Sequence, residues 1–473
     1  MGLPKARPEG ARGTGALALS VGAQAMTTLE QFGQYLANGR ELPRLARASM
    51  RLHLVDTVAA WIAGCGTAEG RALLAFRAEL EQDASANARV MGAIAIHTAL
   101  ARLSEIDDFH LAAMTAPGGI VVPAALTLAV ALGRSDPATL ARAIAGGYDA
   151  MVRLGLALRG PTILHRGLWP TYLAAPFGVA AVAARLMGLD ARQAAHALAH
   201  ALTLAAPGVG HHHAASTARW LALGLAARNG LMAARAAAAG FTGDLDLLDG
   251  YFFASIYDIR PARGELTRGL DQHLLMLDVS CKAWCAARQT FAATQALKDI
   301  VARGVAPEKI AEIEAGVLPP HHGMIDHGVK AGDRASHLTS LPYQMALAVL
   351  EPAATYDVQQ SPAAVAEPVA DLMRKITVTQ NERLLARYPK VWPAHVRVAT
   401  ASGAVHEQEV EYVPGDLRMP FDDAQVKEKF RRFVAPRLGA AGAEEMLALA
   451  TAALADERGP GALLAAIERV CSS

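Results

Sequence analysis

From Thr27 to about Leu266 the chain carries almost unbroken helical periodicity, rich in alanine and punctuated by glycines at Gly133, Gly146, Gly147, Gly188 and Gly240. A run of that length leaves room for little besides stacked helices. Where alanine and glycine recur on neighbouring helices the backbones approach closely, so this half is expected to form a dense helical core. Ser135-Asp136-Pro137 marks one helix start, a capping side chain ahead of a first-turn proline, and Asp190 marks another before Ala191 to Leu204. Aromatics are only 5% of the chain although 52% is hydrophobic, which favours close helix packing over an aromatic-rich sheet sandwich.

The texture changes at about Met276. Strand-like runs stand at Ile310 to Val317, Lys375 to Thr379, Ala394 to Thr400 and Val405 to Val413, the last two flanking a hairpin turn at Ala401-Ser402-Gly403-Ala404. Helix-like pieces at Arg288 to Arg303 and Ser340 to Val349 lie between them, the mixture of an α+β domain. After Pro420 the pattern is helical again, with Asp422-Asp423 capping Ala424 to Phe433. The expected fold is mostly α with an α+β lid. A helical domain spans 26–275 and resumes at 419–473, and an α+β lid at 276–418 is inserted between the two parts. At 473 residues the chain is too long for one compact core.

Composition narrows the partners. Lys plus Arg is 45 against 44 for Asp plus Glu, without a basic stripe, so nucleic acid is not expected. The apolar stretches Ile120 to Leu132 and Leu173 to Ala184 fall short of the roughly 18 residues of a membrane span. Four scattered cysteines make no disulfide framework, and a reducing, cytoplasmic setting fits them. Residues 1–25 read as a disordered leader, or as the product of a start set too early with Met26 the natural one. The apolar part of a secretory signal is too short there and is broken by glycine.

Four clusters carry chemistry-bearing side chains. Glu105-Ile106-Asp107-Asp108-Phe109-His110 sets three acids and a histidine within six residues; taken alone, it reads as helix capping and solvated charge. The second cluster is His165-Arg166-Gly167-Leu168-Trp169-Pro170-Thr171-Tyr172. The third is His211-His212-His213 followed by Arg219-Trp220. The fourth runs from Cys281-Lys282 to Arg288 at the expected domain junction, where cations can hold carboxylates.

Together, in order and spacing, these segments resemble the MmgE/PrpD family. The resemblance rests on Ile106-Asp107-Asp108, Pro117-Gly118, Val122-Pro123-Ala124, Gly147-Tyr148-Asp149 with Arg153, Pro170-Thr171 and Phe177-Gly178. It continues through Gly188-Leu189-Asp190, Gly224 to Gly230, Gly240 to Gly243, Asp249-Gly250, Lys282 with Arg288, and Ser340-Leu341-Pro342-Tyr343. The resemblance implies a homodimer whose interdomain cleft takes a small di- or tricarboxylic acid and moves a proton next to a carboxylate without a cofactor, as lyases and an epimerase of that family do.

Departures from the family pattern fall on the proton-transfer groups. Its Asp-Phe-Asp-Asp becomes Glu105-Ile106-Asp107-Asp108, its His-Pro-Gly becomes Ala116-Pro117-Gly118, and its His-Pro-Thr becomes Trp169-Pro170-Thr171. Arg219 stands for a lysine and Phe291 for a histidine. An alanine cannot shuttle a proton, a tryptophan offers one donor, and an arginine grips anions without acting as a base. The expected catalytic set is therefore Asp107, Asp108, His110, His165, Lys282 and Tyr343, with Arg219, Arg288, Trp169, Thr171 and His211 binding the substrate. A lyase is expected first, then an epimerase or isomerase, then a carboxylate-binding protein without catalysis.

No metal is expected. His196 and His200 have the spacing of a zinc protease, but Ala197 replaces its glutamate. Consecutive histidines at His211 to His213 diverge, and His321-His322 with Asp326-His327 reads as a turn near the cleft or dimer face. Cys281 and Cys285 read as buried thiols, and no nucleotide-binding loop or Gly-x-Ser-x-Gly elbow is present.

Overall fold

The computed structural model describes residues 25–39, 41–208 and 216–472, with the side chain of His165 excepted. Helices dominate, and the strands form one small sheet. The N-terminal helical part includes Arg44–Cys65, Ala86–Leu103, Gly118–Leu132, Pro137–Ala157, Pro170–Met187 and Ala218–Ala238. Asp136 accepts from the Thr139 amide, and Asp190 builds a reciprocal capping box with Gln193, so both sequence-predicted starts are real. The interior of these helices is filled by small side chains such as Ala180, Ala183 and Ala227, all fully buried.

Two hydrophobic cores organise the chain. The larger joins residues from Leu29 to Val279 with residues from Val426 to Cys471, so the C-terminal helices return to the N-terminal bundle. Lys429 Nζ seals that return, 2.5 Å from Asp56 Oδ1 and 2.6 Å from the Ile106 carbonyl. The smaller core runs from Trp284 to Val413. It packs the helix Phe291–Ala302 and the helix Leu341–Leu350 around four strands: β1 (Ile310–Val317), β2 (Ile376–Gln380), β3 (Ala394–Thr400) and β4 (Val405–Val410). The strand order is β2-β1-β3-β4, parallel between β1 and β2 and antiparallel elsewhere. The expected hairpin closes through the Thr400 amide on the Ala404 carbonyl.

Asp422 caps the expected helix start, Asp423–Ala452 is two helical stretches joined at a non-helical Gly439 (φ 70°), and the helix Gly459–Ser472 follows. One difference from the sequence reading has a physical cause. The acids at 107 and 108 are not solvated: both are fully buried, because the loop between two core helices turns inward, where Asp107 meets Arg102 and Asp108 meets the Gly118 amide and the Tyr148 hydroxyl. Small mixed clusters tie the two cores together, one through Phe109, Met114, Leu318 and Trp392, another through Ile106, Cys285, Leu338 and Phe433. No helix of the described residues is long and apolar enough to cross a membrane.

Candidate functional site

The site is built on the loop between helices Ala86–Leu103 and Gly118–Leu132. Glu105 takes a left-handed backbone (φ 59°), a conformation uncommon for a residue with a side chain and often found where function fixes the geometry. That turn aims the 105 and 107 carboxylates at Arg102, the last turn of the preceding helix. Arg102 Nη1 lies 3.0 Å from Glu105 Oε1 and 3.0 Å from Asp107 Oδ1.

Asp108 points the other way. Its Oδ1 accepts from the Gly118 amide at 2.7 Å, and its Oδ2 accepts from the Tyr148 hydroxyl at 2.7 Å with His53 Nδ1 at 2.9 Å. It thereby caps the helix that begins at Gly118, where no local side chain does. A Cβ on residue 118 would stand 2.6 and 2.7 Å from the two Asp108 oxygens, which explains the glycine of Pro117-Gly118.

Lys282 reaches this loop from a different part of the chain. Phe109 and Ser280 exchange backbone hydrogen bonds at 2.7 and 2.9 Å, and the Cys281 amide donates to the Gly415 carbonyl. Gly415 is at φ 94°, and a Cβ there would fall 2.2 Å from the Cys281 carbonyl oxygen. So clamped, Lys282 Nζ lies 2.7 Å from Glu105 Oε2, donates to the Glu105 carbonyl at 3.2 Å, and stands 3.9 Å from Asp107 Oδ1. Six residues on, Arg288 Nη2 meets both oxygens of buried Asp416 at 2.6 and 2.7 Å, while its Nη1 is buried without a hydrogen-bond partner.

These groups surround a cavity between the two cores. Its inner part, about 90 Å³, is lined by Arg102, Glu105, Lys282, Arg288, Thr171 and Trp169, among others. An adjoining outer part of about 450 Å³ shares Trp169, Arg219, Met324 and Thr339 with it. Arg219 lies over the Trp169 ring at 5.7 Å. Cations therefore outnumber acids on the inner wall, the electrostatic character of a carboxylate site.

Burial and neighbours separate the acids. Burial pushes Asp107 up to about 7 against the pull of Arg102 and Lys282, with Glu105 and Asp108 adding to the rise. Burial also raises Glu105, yet Arg102 and Lys282 bring it down to about 2. Two adjacent carboxylates, one ionised and one titrating near neutrality, are the kind of pair that divides charge stabilisation from proton exchange.

Of the residues expected from the sequence, Lys282, Arg288, Arg219, Trp169 and Thr171 line this one cavity. Asp107 lies directly behind Arg102 and Lys282. Asp108 serves the helix start instead. His110 accepts from the Ala113 amide at 3.0 Å, and burial lowers it to about 4, so its ring is neutral and faces its own turn. Tyr343 borders a separate cavity of about 390 Å³ with Glu351, Asp357 and Gln359. His165 lies on the short 3-10 turn Leu164–Arg166, its side chain outside the described residues, as is His211 with the rest of its triplet. The Thr171 hydroxyl accepts from the Ala116 amide at 3.1 Å, and Phe291 stacks on Trp284 with centroids 4.1 Å apart. Among the described residues, no three His, Cys, Asp or Glu side chains converge as metal ligands.

Sequence reasoning left out Arg102, Glu105 and Tyr172. Arg102 had no signal, being the end of an ordinary helix; Glu105 and Tyr172 stood inside clusters already singled out. The Tyr172 hydroxyl is buried without a hydrogen-bond partner, and it feels the charges of Arg102, Arg219, Glu105 and Asp107.

The model of the MmgE/PrpD N-terminal domain matches residues 30–256, and that of the MmgE/PrpD C-terminal domain matches residues 284–454. Among curated proteins none matches the chain.

Proposed function

The chain belongs to the MmgE/PrpD family, and we propose from that premise that it is a lyase acting on a small di- or tricarboxylic acid. The carrying observation is the convergence of Lys282, Arg102 and Arg288 on one cavity with Asp107, held near neutrality, 3.9 Å behind Lys282. In this reading Arg288, with Arg219 nearer the mouth, holds carboxylate and stabilises the enolate-like charge that develops beside it. Lys282 exchanges the proton with the substrate carbon or leaving group. Asp107 is too deeply buried to touch the substrate; it acts as a positioning residue that accepts the lysine's proton and returns it. Water or carbon dioxide then leaves. The lid is residues 276–418, closing over the helical part formed by 26–275 and 419–473.

A second reading, epimerisation or double-bond isomerisation, draws on Ala116 and Phe291, which carry no titratable group where the family has histidines. One proton removed and returned asks for only the Lys282–Asp107 pair. Both readings treat the protein as a cytoplasmic homodimer that works without a cofactor. The exposed side chains of Phe241, Tyr251 and Ile256 support a subunit contact, and the four free cysteines support a reducing compartment.

The test is turnover of citrate, methylcitrate, cis-aconitate, itaconate and aspartate-derived acids in deuterated water, followed by mass spectrometry. Loss of water or carbon dioxide supports the lyase, and deuterium uptake without mass loss supports the isomerase. Binding without either would leave a catalytically silent carboxylate-binding protein. Lys282→Ala should lower turnover by about 10²–10³; an unchanged rate would remove Lys282 from the mechanism.

A further inference from the structure

The inner cavity already contains a carboxylate, and it belongs to the protein. Glu105 spans two cations of the inner wall, Oε1 at 3.0 Å from Arg102 Nη1 and Oε2 at 2.7 Å from Lys282 Nζ. Its side chain is 16% exposed, whereas those of Arg102 and Lys282 are 9% and 2% exposed, so the glutamate stands on the cavity side of both. One oxygen on each of two separate cations is the arrangement a bound acid would itself adopt. The neighbouring Arg288 differs: Asp416 engages Nη2 alone, Nη1 is buried without a hydrogen-bond partner, and the residue lines the same cavity.

We propose that Glu105 fills a carboxylate subsite made by Arg102 and Lys282, and so sets the ligand as a dicarboxylate anchored at the Arg288 end rather than a tricarboxylate. A third carboxylate entering the inner part would meet the Glu105 anion at contact distance, with both cations already neutralised. Like charges brought together in a poorly solvated pocket repel strongly, so the exclusion is electrostatic as well as steric. The inference rests on the carboxylic-acid reading of the cavity and adds to it a specificity residue.

The experiment is isothermal titration of the full chain with succinate and with tricarballylate, a pair differing by one carboxymethyl group. Wild type is compared with Glu105→Asn and Glu105→Gln. Asparagine tolerates the left-handed backbone at this position and removes both charge and length; glutamine removes charge alone. Wild type should prefer succinate. Glu105→Asn should shift the preference toward tricarballylate by at least about tenfold, the scale of a regained charged hydrogen bond, and Glu105→Gln by less. Tricarballylate should also raise the thermal midpoint of Glu105→Asn more than that of wild type, which reads the refilled subsite independently of turnover. An unchanged ratio in folded Glu105→Asn, with both acids bound, would overturn the role of Glu105 while leaving the cavity reading intact. Binding of neither acid to any form would overturn the cavity reading itself, and this proposal with it.

Discussion

Nη1 of Arg102 stands 3.0 Å from Oδ1 of Asp107, and that contact crosses from the wall of the cavity into fully buried protein. Arg102 is thus shared between an acid that faces the ligand space and one that does not. Burial pushes the inner acid toward its neutral form, and the shared guanidinium pulls against that rise.

The first consequence is a pH dependence of stability. Asp107 rises from an ordinary 3.8 to about 7 in the folded chain. Across that window the folded state holds a proton that the unfolded state has released, so this contribution is complete below the ordinary value and is lost as pH rises through the folded one. Asp107→Asn should flatten the decline in unfolding free energy between those two values, measured by denaturant titration at a series of pH values. A slope equal to wild type in the variant would assign the titration to another group.

His110 works in the opposite sense. Burial lowers it from 6.5 to about 4, so the unfolded chain takes up a proton first, and stability present above the ordinary value falls as pH drops toward the folded one. His110→Asn keeps an acceptor for the Ala113 amide and has no such titration. Its thermal midpoint should change less than that of wild type over the same acid range. Equal acid sensitivity would show that His110 is protonated in the native state.

Gly118 tests the helix start. A methyl group there would press on both Asp108 oxygens and on Thr57 Oγ1, 2.7 Å away. Overpacking of this kind costs roughly 1–3 kcal/mol, so Gly118→Ala should lower the unfolding free energy by about that amount. Catalysis should fall with it, since the turn carrying Glu105 and Asp107 is anchored through Asp108. A neutral substitution would mean that the loop relaxes freely.

Asp416 holds Arg288 by both oxygens, and the pair is buried on both sides. Removing one partner of such a pair typically costs about 3–5 kcal/mol, and Asp416→Asn should approach that loss. The surviving protein should show a raised KM with a smaller change in kcat, because the guanidinium loses its aim more than its charge. A change confined to kcat would move Arg288 from binding into chemistry.

The fold was legible where local physics fixes it. Asp136 before Pro137 and the Asp190–Gln193 box announced helix starts, and the alternation in Ile310 to Val317 marked a strand at its full length. Lys282 and Arg288 were legible because two cations at a change of texture imply a junction. Arg102 was not, for an arginine ending a helix is ordinary until a distant lysine joins it. The directions of Asp108 and His110 were not legible, because sequence gives proximity without direction: neighbours of Asp107, they turn to Tyr148 and Ala113. The distance of Tyr343 from this cavity followed from packing of the smaller core, which no local signal encodes.

The bond between Lys429 and the Ile106 carbonyl also sets an order of events during synthesis. The two residues are 323 positions apart, and at a ribosomal pace of roughly 5–20 residues per second the second is made about 15–65 s after the first. Through that interval Asp56 lacks the ammonium that pairs with it in the finished fold, and the turn that carries Glu105 and Asp107 lacks its brace. The helical bundle can condense early, but its working surface is finished last, from the tail of its own message.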